Sequence, residues 1–376
     1  MKLKQFIQQE TVLTAAAVLA VVSAFFVPPD AQYLGYIDLR TLAILFSLMT
    51  VMAGLRRQGF FDELGRALLS RTHSTFQLTL VLVGLCFFGS MFITNDVSLL
   101  TFVPFTFVVL SRLRADVRRS LLIPVVCMQT IAANLGSMLT PIGNPQNLYL
   151  YGKSGMSIGG FVLLMLPYTL VSLLLLLAWA ALVCRKASAA LSVDELVSSS
   201  ASQGDQRIIL LYLVLFAVCL LSVIRVLPYG IAFAAVLVCA LFADPRTLRT
   251  VDYSLLLTFV AFFIFIGNLG RIPAFSGWLQ EFLTGREVLV AVLASQVTSN
   301  VPAALLLSGF TAETQALIIG TNLGGLGTLI ASMASLISYR QIARELPQGK
   351  KQYFGLFTLS NLIFLALLLG VWFLLR

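Results

Sequence analysis

Apolar runs of 17 residues or more recur from one end of this chain to the other. Runs of that length suit a bilayer core of about 30 Å, and they mark a polytopic, all-α membrane protein. Of 376 residues, 59% are hydrophobic and only 11% are charged, which is more apolar surface than a water-soluble fold of this size can hide. Met1-Lys-Leu-Lys-Gln5 and the apolar run from Thr11 to Val27 have the outline of a signal peptide, but no small-residue cleavage site follows.

The net charge of +9 is not a nucleic-acid signature, because Lys and Arg cluster in short connections without interleaved aromatics. Cys86, Cys127, Cys184, Cys219 and Cys239 lack CxxC spacing and lie among apolar residues, so they read as packing residues. His73, the one histidine, sits in a polar connection without the partners that a metal site needs.

The apolar segments fall at 11–28, 37–55, 76–110, 119–150, 159–184, 206–226, 229–244, 251–270, 287–311, 313–339 and 353–375. The polar stretch 185–206, which carries Asp194, Glu195 and Asp205, reads as a linker between two halves. Those halves resemble each other. Ile37-Asp38 and its apolar run parallel Val251-Asp252 and its run; Gly59 to Leu64 parallels Ala274 to Leu279. Asn134-Leu-Gly and Asn322-Leu-Gly share register over fifteen positions, with a Thr four residues after the Gly and a closing Leu. The expected organisation is a first repeat at 1–184, a linker and connecting helix at 185–226, and a second repeat at 227–376. Each repeat holds a hairpin (76–110, 287–311) and a broken helix (119–150, 313–339).

Charge gives the topology. With a cytoplasmic N-terminus and hairpins that return to the side they came from, all but six of the twenty-five Lys and Arg residues fall inside. The six are Arg40, Lys153, Arg225, Arg271, Arg286 and Arg376. The second half then enters from the opposite side, which makes the repeats inverted around nine spanning helices and two re-entrant hairpins. Each arm of 287–311 has about ten residues, or roughly 15 Å of helix, and cannot cross the core. The longer arms of 76–110 also admit two full crossings. Between 58 and 72, Phe61, Leu64, Leu68 and Leu69 alternate with charges, as in an amphipathic helix lying along the interface.

Polar residues interrupt these runs at four places. Phe92-Ile-Thr-Asn-Asp-Val-Ser98 places Asp96 deep in an apolar region, whereas the other fifteen of the sixteen acidic residues lie near run edges or in connections. A charge at membrane depth is costly and is by default a functional hypothesis. The matching break in the second half is Thr298-Ser-Asn-Val-Pro302. Thr140-Pro-Ile-Gly-Asn-Pro-Gln-Asn147 breaks a helix, because Pro141 and Pro145 remove donors and Gly143 loosens the backbone. Gly324 to Ser332 does the same with glycines. Backbone that leaves helix geometry inside a membrane must be buried in protein or line a wet cavity, and its amide ends attract anions while its carbonyl ends attract cations.

The expected substrate- and ion-binding residues are Thr94, Asn95, Asp96, Thr140, Pro141, Gly143, Asn144, Asn147, Thr298, Ser299, Asn300, Asn322, Gly324, Gly327 and Thr328. Each motif alone also fits helix packing. No Lys or Arg occurs at 72–111, 120–152 or 287–339, so helix ends, hydroxyls, amides and a co-bound cation must neutralise an anion there. Na+ could be held at Asn95, Asp96, Ser299 and Asn300; alternatively Asp96 binds and releases a proton.

At these residues the chain resembles the ion transporter superfamily of citrate-transporter-like proteins, which includes divalent anion/sodium symporters and arsenite permeases, and it is most similar to small bacterial anion permeases. Thr94-Asn-Asp-Val97, Thr140 to Asn147, Ser299-Asn-Val-Pro302 and Gly320-Thr-Asn-Leu-Gly324 carry the likeness. It implies a homodimer in the bacterial cytoplasmic membrane, working as an elevator: a moving transport domain against a scaffold, with hairpins that meet near the midplane. The family's sodium symporters carry Ser-Asn-Thr at each tip. Here the tips read Thr94-Asn95-Asp96 and Ser299-Asn300-Val301, and the Asn-Asp pair is closer to the arsenite permeases. The expected activity is secondary transport of a small anion, a carboxylate or an inorganic oxyanion, coupled to Na+ or H+ and without a cofactor. The alternatives are a Na+/H+ antiporter using Asp96, an arsenite-type efflux permease, a passive channel, and a membrane-embedded enzyme. The last lacks Ser-His-Asp, HExxH or paired intramembrane carboxylates.

Overall fold

Asp38 and Asp252, the paired residues that open matching apolar runs, do the same job in space. Each caps a helix, accepting from the backbone N–H of Thr41 and Leu255 respectively at 3.0 Å. The computed structural model describes residues 10–70, 72–186 and 204–376, and they contain helices and no strand. Most of the expected linker, 187–203, lies outside the described residues.

The first half contains α1 (Thr11–Phe26), the short α2 (Gln32–Tyr36), α3 (Leu39–Arg57) and the amphipathic α4 (Phe60–Leu69), which buries Phe61, Gly65 and Leu69. A hairpin follows, with arms α5 (Thr75–Gly89) and α6 (Asn95–Ser111). The interrupted helix comes next: α7 (Ala115–Ser137) stops before Pro141, and α8 (Pro145–Ser154) restarts on Pro145, whose missing N–H is harmless at the first helical position. Beyond it, α9 (Ile158–Lys186) is the longest helix of the half.

In the remainder, α10 (Gln206–Val223), α11 (Tyr229–Ala243) and the one-turn α12 (Pro245–Leu248) lead to α13 (Tyr253–Gly270) and α14 (Pro273–Leu283). A second hairpin, α15 (Glu287–Thr298) and α16 (Asn300–Leu307), precedes a second interrupted helix, α17 (Thr314–Leu323) and α18 (Met333–Glu345); α19 (Lys350–Leu375) ends the chain. By length and composition α3, α7, α9, α10, α13 and α19 can cross a membrane. Three of the nine expected spans are shorter as helices: α1 and α11 have 16 and 15 residues, and 313–339 is split by its own break.

Direction follows from contacts at helix ends. Arg271, at the end of α13, bonds to Tyr36, just before α3, at 3.1 Å, while Arg56 near the end of α3 shares a cavity with Asp252 at the start of α13. The two Asp-capped helices therefore run antiparallel. The hairpins also have bases at opposite ends. Cys184, near the end of α9, reaches the Thr75 carbonyl at the base of the first, whereas Lys153, just before α9, donates to the Ser308 carbonyl at the base of the second, at 2.8 Å. Arg225 joins this end through the Tyr151 and Gly152 carbonyls. At the other end Arg57 pairs with Asp244 at 3.4 Å.

Candidate functional site

Both hairpin tips dock onto a helix break, and they do so in the same way. The Asn95 backbone N–H donates to the Gly143 carbonyl at 3.1 Å, and the Asn300 backbone N–H donates to the Ala331 carbonyl at 2.9 Å. The register that aligns Asn134 with Asn322 also aligns Gly143 with Ala331. Two further equivalences follow from it. The Thr140 hydroxyl donates to the Met91 carbonyl and the Thr328 hydroxyl to the Gln296 carbonyl, at 2.5 and 3.1 Å. Asn134 Oδ1 accepts from the Ser332 hydroxyl (3.0 Å) and Asn134 Nδ2 donates to the Ser335 hydroxyl (3.4 Å). Its counterpart Asn322 accepts from Asn144 Nδ2 (3.3 Å) and donates to Asn147 Oδ1 (2.6 Å). Ser332 and Ser335 match Asn144 and Asn147 in that register, so each half grips the break of the other. The packing is crossed too: α6 lies on α18, and α16 on α8.

Four half-helix N-termini converge as a result. Asn95 and Asp96 of α6, Pro145 and Gln146 of α8, Asn300 to Pro302 of α16, and Ser332 with Met333 of α18 line one cavity of about 60 Å³. A single water needs about 10–15 Å³ on that measure, so the space admits a small solute. Among the described residues, no Lys or Arg lines it. A neighbouring cavity of about 150 Å³ shares Asp96, Pro145, Asp252 and Leu255, and contains Thr94 and Arg56.

Four buried atoms on residues in or next to this lining have no partner among the described residues. Asp96 Oδ1 is one, and Gln146, 1% exposed, has neither its Nε2 nor its Oε1 bonded. Asn144 Oδ1 in the same break is also unpaired. Buried polar groups left unpaired cost about 1–3 kcal/mol each. Further strain sits at the second tip, where Ser299 has φ 77° and ψ 154°. That backbone region is nearly reserved for glycine and costs about 1–3 kcal/mol.

The expected residues divide by position. Asn95, Asp96 and Asn300 face the cavity, and Thr94 the neighbouring one. Ser299, Asn144, Asn147, Asn322 and Thr140 are bonded behind it. Pro141 and Gly143 shape the first break. Thr298 and Thr328 are exposed and bond to helix α15, away from the cavity. Gly324 and Gly327 make room for α15: a Cβ on either would meet Ser295 Oγ at 2.6 Å or Gln296 Oε1 at 2.2 Å. Sequence reading left Asp96 without a carboxylate neighbour, and the fold corrects that. Asp252, which caps α13, and Glu10, the residue before α1, line the same cavity. Both stand at run edges, which hid them; Glu10 is bonded to the Ser254 hydroxyl. Gln146, inside a quoted motif, was passed over for its neighbours.

Comparison with known proteins agrees with this architecture. The family model described as citrate transporter (CitMHS) matches residues 6–318. Inner membrane protein YbiR of Escherichia coli (strain K12) is 34% identical over 84% of this chain and 84% of its own. The transporter MJ0456 of Methanocaldococcus jannaschii is 30% identical over 81% of each chain. Silicon efflux transporter LSI3 of Oryza sativa subsp. japonica is 31% identical over 36% of this chain and 27% of its own. Interrupted helices around a buried polar cavity and a family match over most of the length lead to one conclusion: this multi-pass membrane protein belongs to the citrate transporter family.

Proposed function

We propose that this protein is a secondary active transporter that moves a small anion, a carboxylate or an inorganic oxyanion, across the bacterial cytoplasmic membrane, coupled to Na+ or H+. The observation that carries this is the convergence of four half-helix N-termini on one small cavity. Each N-terminus acts as roughly half a positive charge, so four supply about two without a Lys or Arg among the described residues of the lining. Asp96, with an unpaired oxygen, is the seat of the coupling cation or proton. Asn300 completes the ion site from the other tip, with Ser299 bonded behind it.

The transport cycle is an elevator. The hairpins and interrupted helices pack on one another, while α1, α3, α10, α11 and α13 pack among themselves. The cavity lies between the groups, which would let the first slide past the second. The crossed contacts and the antiparallel α3 and α13 support inverted repeats at 1–184 and 227–376, joined through 185–226. A homodimer through the second group fits the family resemblance. The end carrying Arg56, Arg57, Arg246 and Arg249 is cytoplasmic, and so is the N-terminus. In a background without reactive native cysteines, cysteines replacing Ser157 and Arg246 should therefore label from opposite sides of the membrane. Labelling from one side overturns this orientation.

A cation/proton antiporter is the second reading, favoured by the three carboxylates at the cavity, Asp96, Asp252 and Glu10. Thermal shift separates the two, because a bound ligand stabilises the folded state by mass action. An anion that stabilises only with Na+, or only at low pH, supports coupled anion transport; stabilisation by Na+ alone supports the antiporter. Asn300→Ala should weaken the cation effect about tenfold, the value of a hydrogen bond to a charged partner. An unchanged cation dependence removes the second tip from the ion site.

A further inference from the structure

The Gln146 side chain is almost completely buried, lines the cavity, and has neither amide atom bonded. Exchanging its O and N leaves this unchanged, because both positions are orphaned. A ligand that satisfies the amide must accept from Nε2 and donate to Oε1. The other groups around it ask for the same. Asp96 Oδ1 is a second unpaired acceptor, and Asp252 and Glu10 add two more carboxylates to the lining. A fully ionised oxyanion brings acceptors only. It would leave Gln146 Oε1 unpaired and stand beside Asp252 and Glu10, with no Lys or Arg among the described residues of this lining and Arg56 in the neighbouring cavity. Unit charges a few ångström apart repel by several kcal/mol even at an effective dielectric of about 20.

We infer that Gln146 is the specificity-determining residue of the solute site, and that it selects a small oxyacid that keeps at least one O–H at neutral pH. This rests on the anion-transporter reading and narrows its substrate class. The retained O–H donates to Gln146 Oε1, Nε2 donates to an ionised oxygen, and the helix N-termini hold the remaining charge. Sites built to hydrogen-bond a substrate O–H reject the analogue without it strongly, since their buried acceptors are then left unpaired.

Phosphate and sulfate test this, being tetrahedral oxyanions of similar size. Phosphate keeps an O–H at neutral pH and sulfate does not. Wild-type protein, Gln146→Leu and Gln146→Glu are reconstituted in liposomes under imposed Na+ and proton gradients, and uptake of labelled phosphate, sulfate and succinate is measured. Wild-type protein should favour phosphate over sulfate by about tenfold or more. Gln146→Leu should bring that ratio close to one. Gln146→Glu, which keeps an acceptor and loses the donor, should keep the preference at a lower rate. If Gln146→Leu fails to fold, the wild-type and Gln146→Glu ratios decide. Equal uptake of phosphate and sulfate overturns the inference, as does an unchanged ratio in Gln146→Leu. Uptake of succinate with neither tetrahedral ion overturns it while leaving anion transport in place; uptake of none of the three overturns both.

Discussion

Asp96→Asn should reduce coupled uptake by about a hundredfold, equivalent to roughly 2.7 kcal/mol, while leaving a folded protein. The amide keeps the size of the carboxyl and its place in the first turn of α6, where the Asp96 backbone N–H is already bonded to Asn95 Oδ1 at 2.9 Å. What it removes is the ability to take a cation or a proton on Oδ1, which has no protein partner. Burying a polar or charged group without a partner costs stability. The variant should therefore melt at or above the wild-type temperature even as transport is lost. Proteoliposome uptake and a melting curve on the same preparation check both halves. Undiminished coupled uptake removes Asp96 from the mechanism. A large fall in melting temperature assigns it a structural role instead.

Gly143→Ala should damage both fold and transport. A Cβ there would lie 2.2 Å from the Ser137 carbonyl oxygen and under 3.0 Å from its Cα and carbonyl carbon, all backbone atoms with no rotamer to yield. The same residue accepts the Asn95 amide, so relief by backbone movement displaces the first hairpin tip. Overpacking typically costs about 1–3 kcal/mol, and here the moving part is the site itself. Loss of transport with a clearly lowered melting temperature is expected. A variant that transports normally and melts with the wild type would mean that the break is looser than these contacts require.

The membrane class, the two hairpins and the two interruptions were legible because lipid punishes exposed backbone and deep charge. Pro141, Gly143 and Pro145 could only end a helix, and Asp96 could only be functional or well partnered. The register from Asn134 to Asn322 carried further, since the residues it pairs make matching bonds across the site. Other features were hidden in tertiary structure. Asp252 and Glu10 stand at run edges, before α13 and α1, and nothing local says that both line a cavity with Asp96. Thr298 and Thr328 belong to polar breaks, yet each bonds back to α15. Gln296 anchors the second break through Gly324, Leu326 and Thr328, but reads in sequence as one polar residue on an apolar helix. The orphaned amide of Gln146 is a matter of what fails to reach it, which no sequence pattern records.

The central claim is that two oppositely directed hairpin tips and two helix breaks enclose one solute site. A cryo-electron microscopy map of the protein in a lipid nanodisc with its transported solute tests it most directly. Solute density bounded by Asp96, Gln146, Asn300 and Ser332, with Asn95 and Asn300 on either side of it, is the result expected. Tips separated toward opposite faces of the bilayer in every state, or solute bound elsewhere, would contradict it.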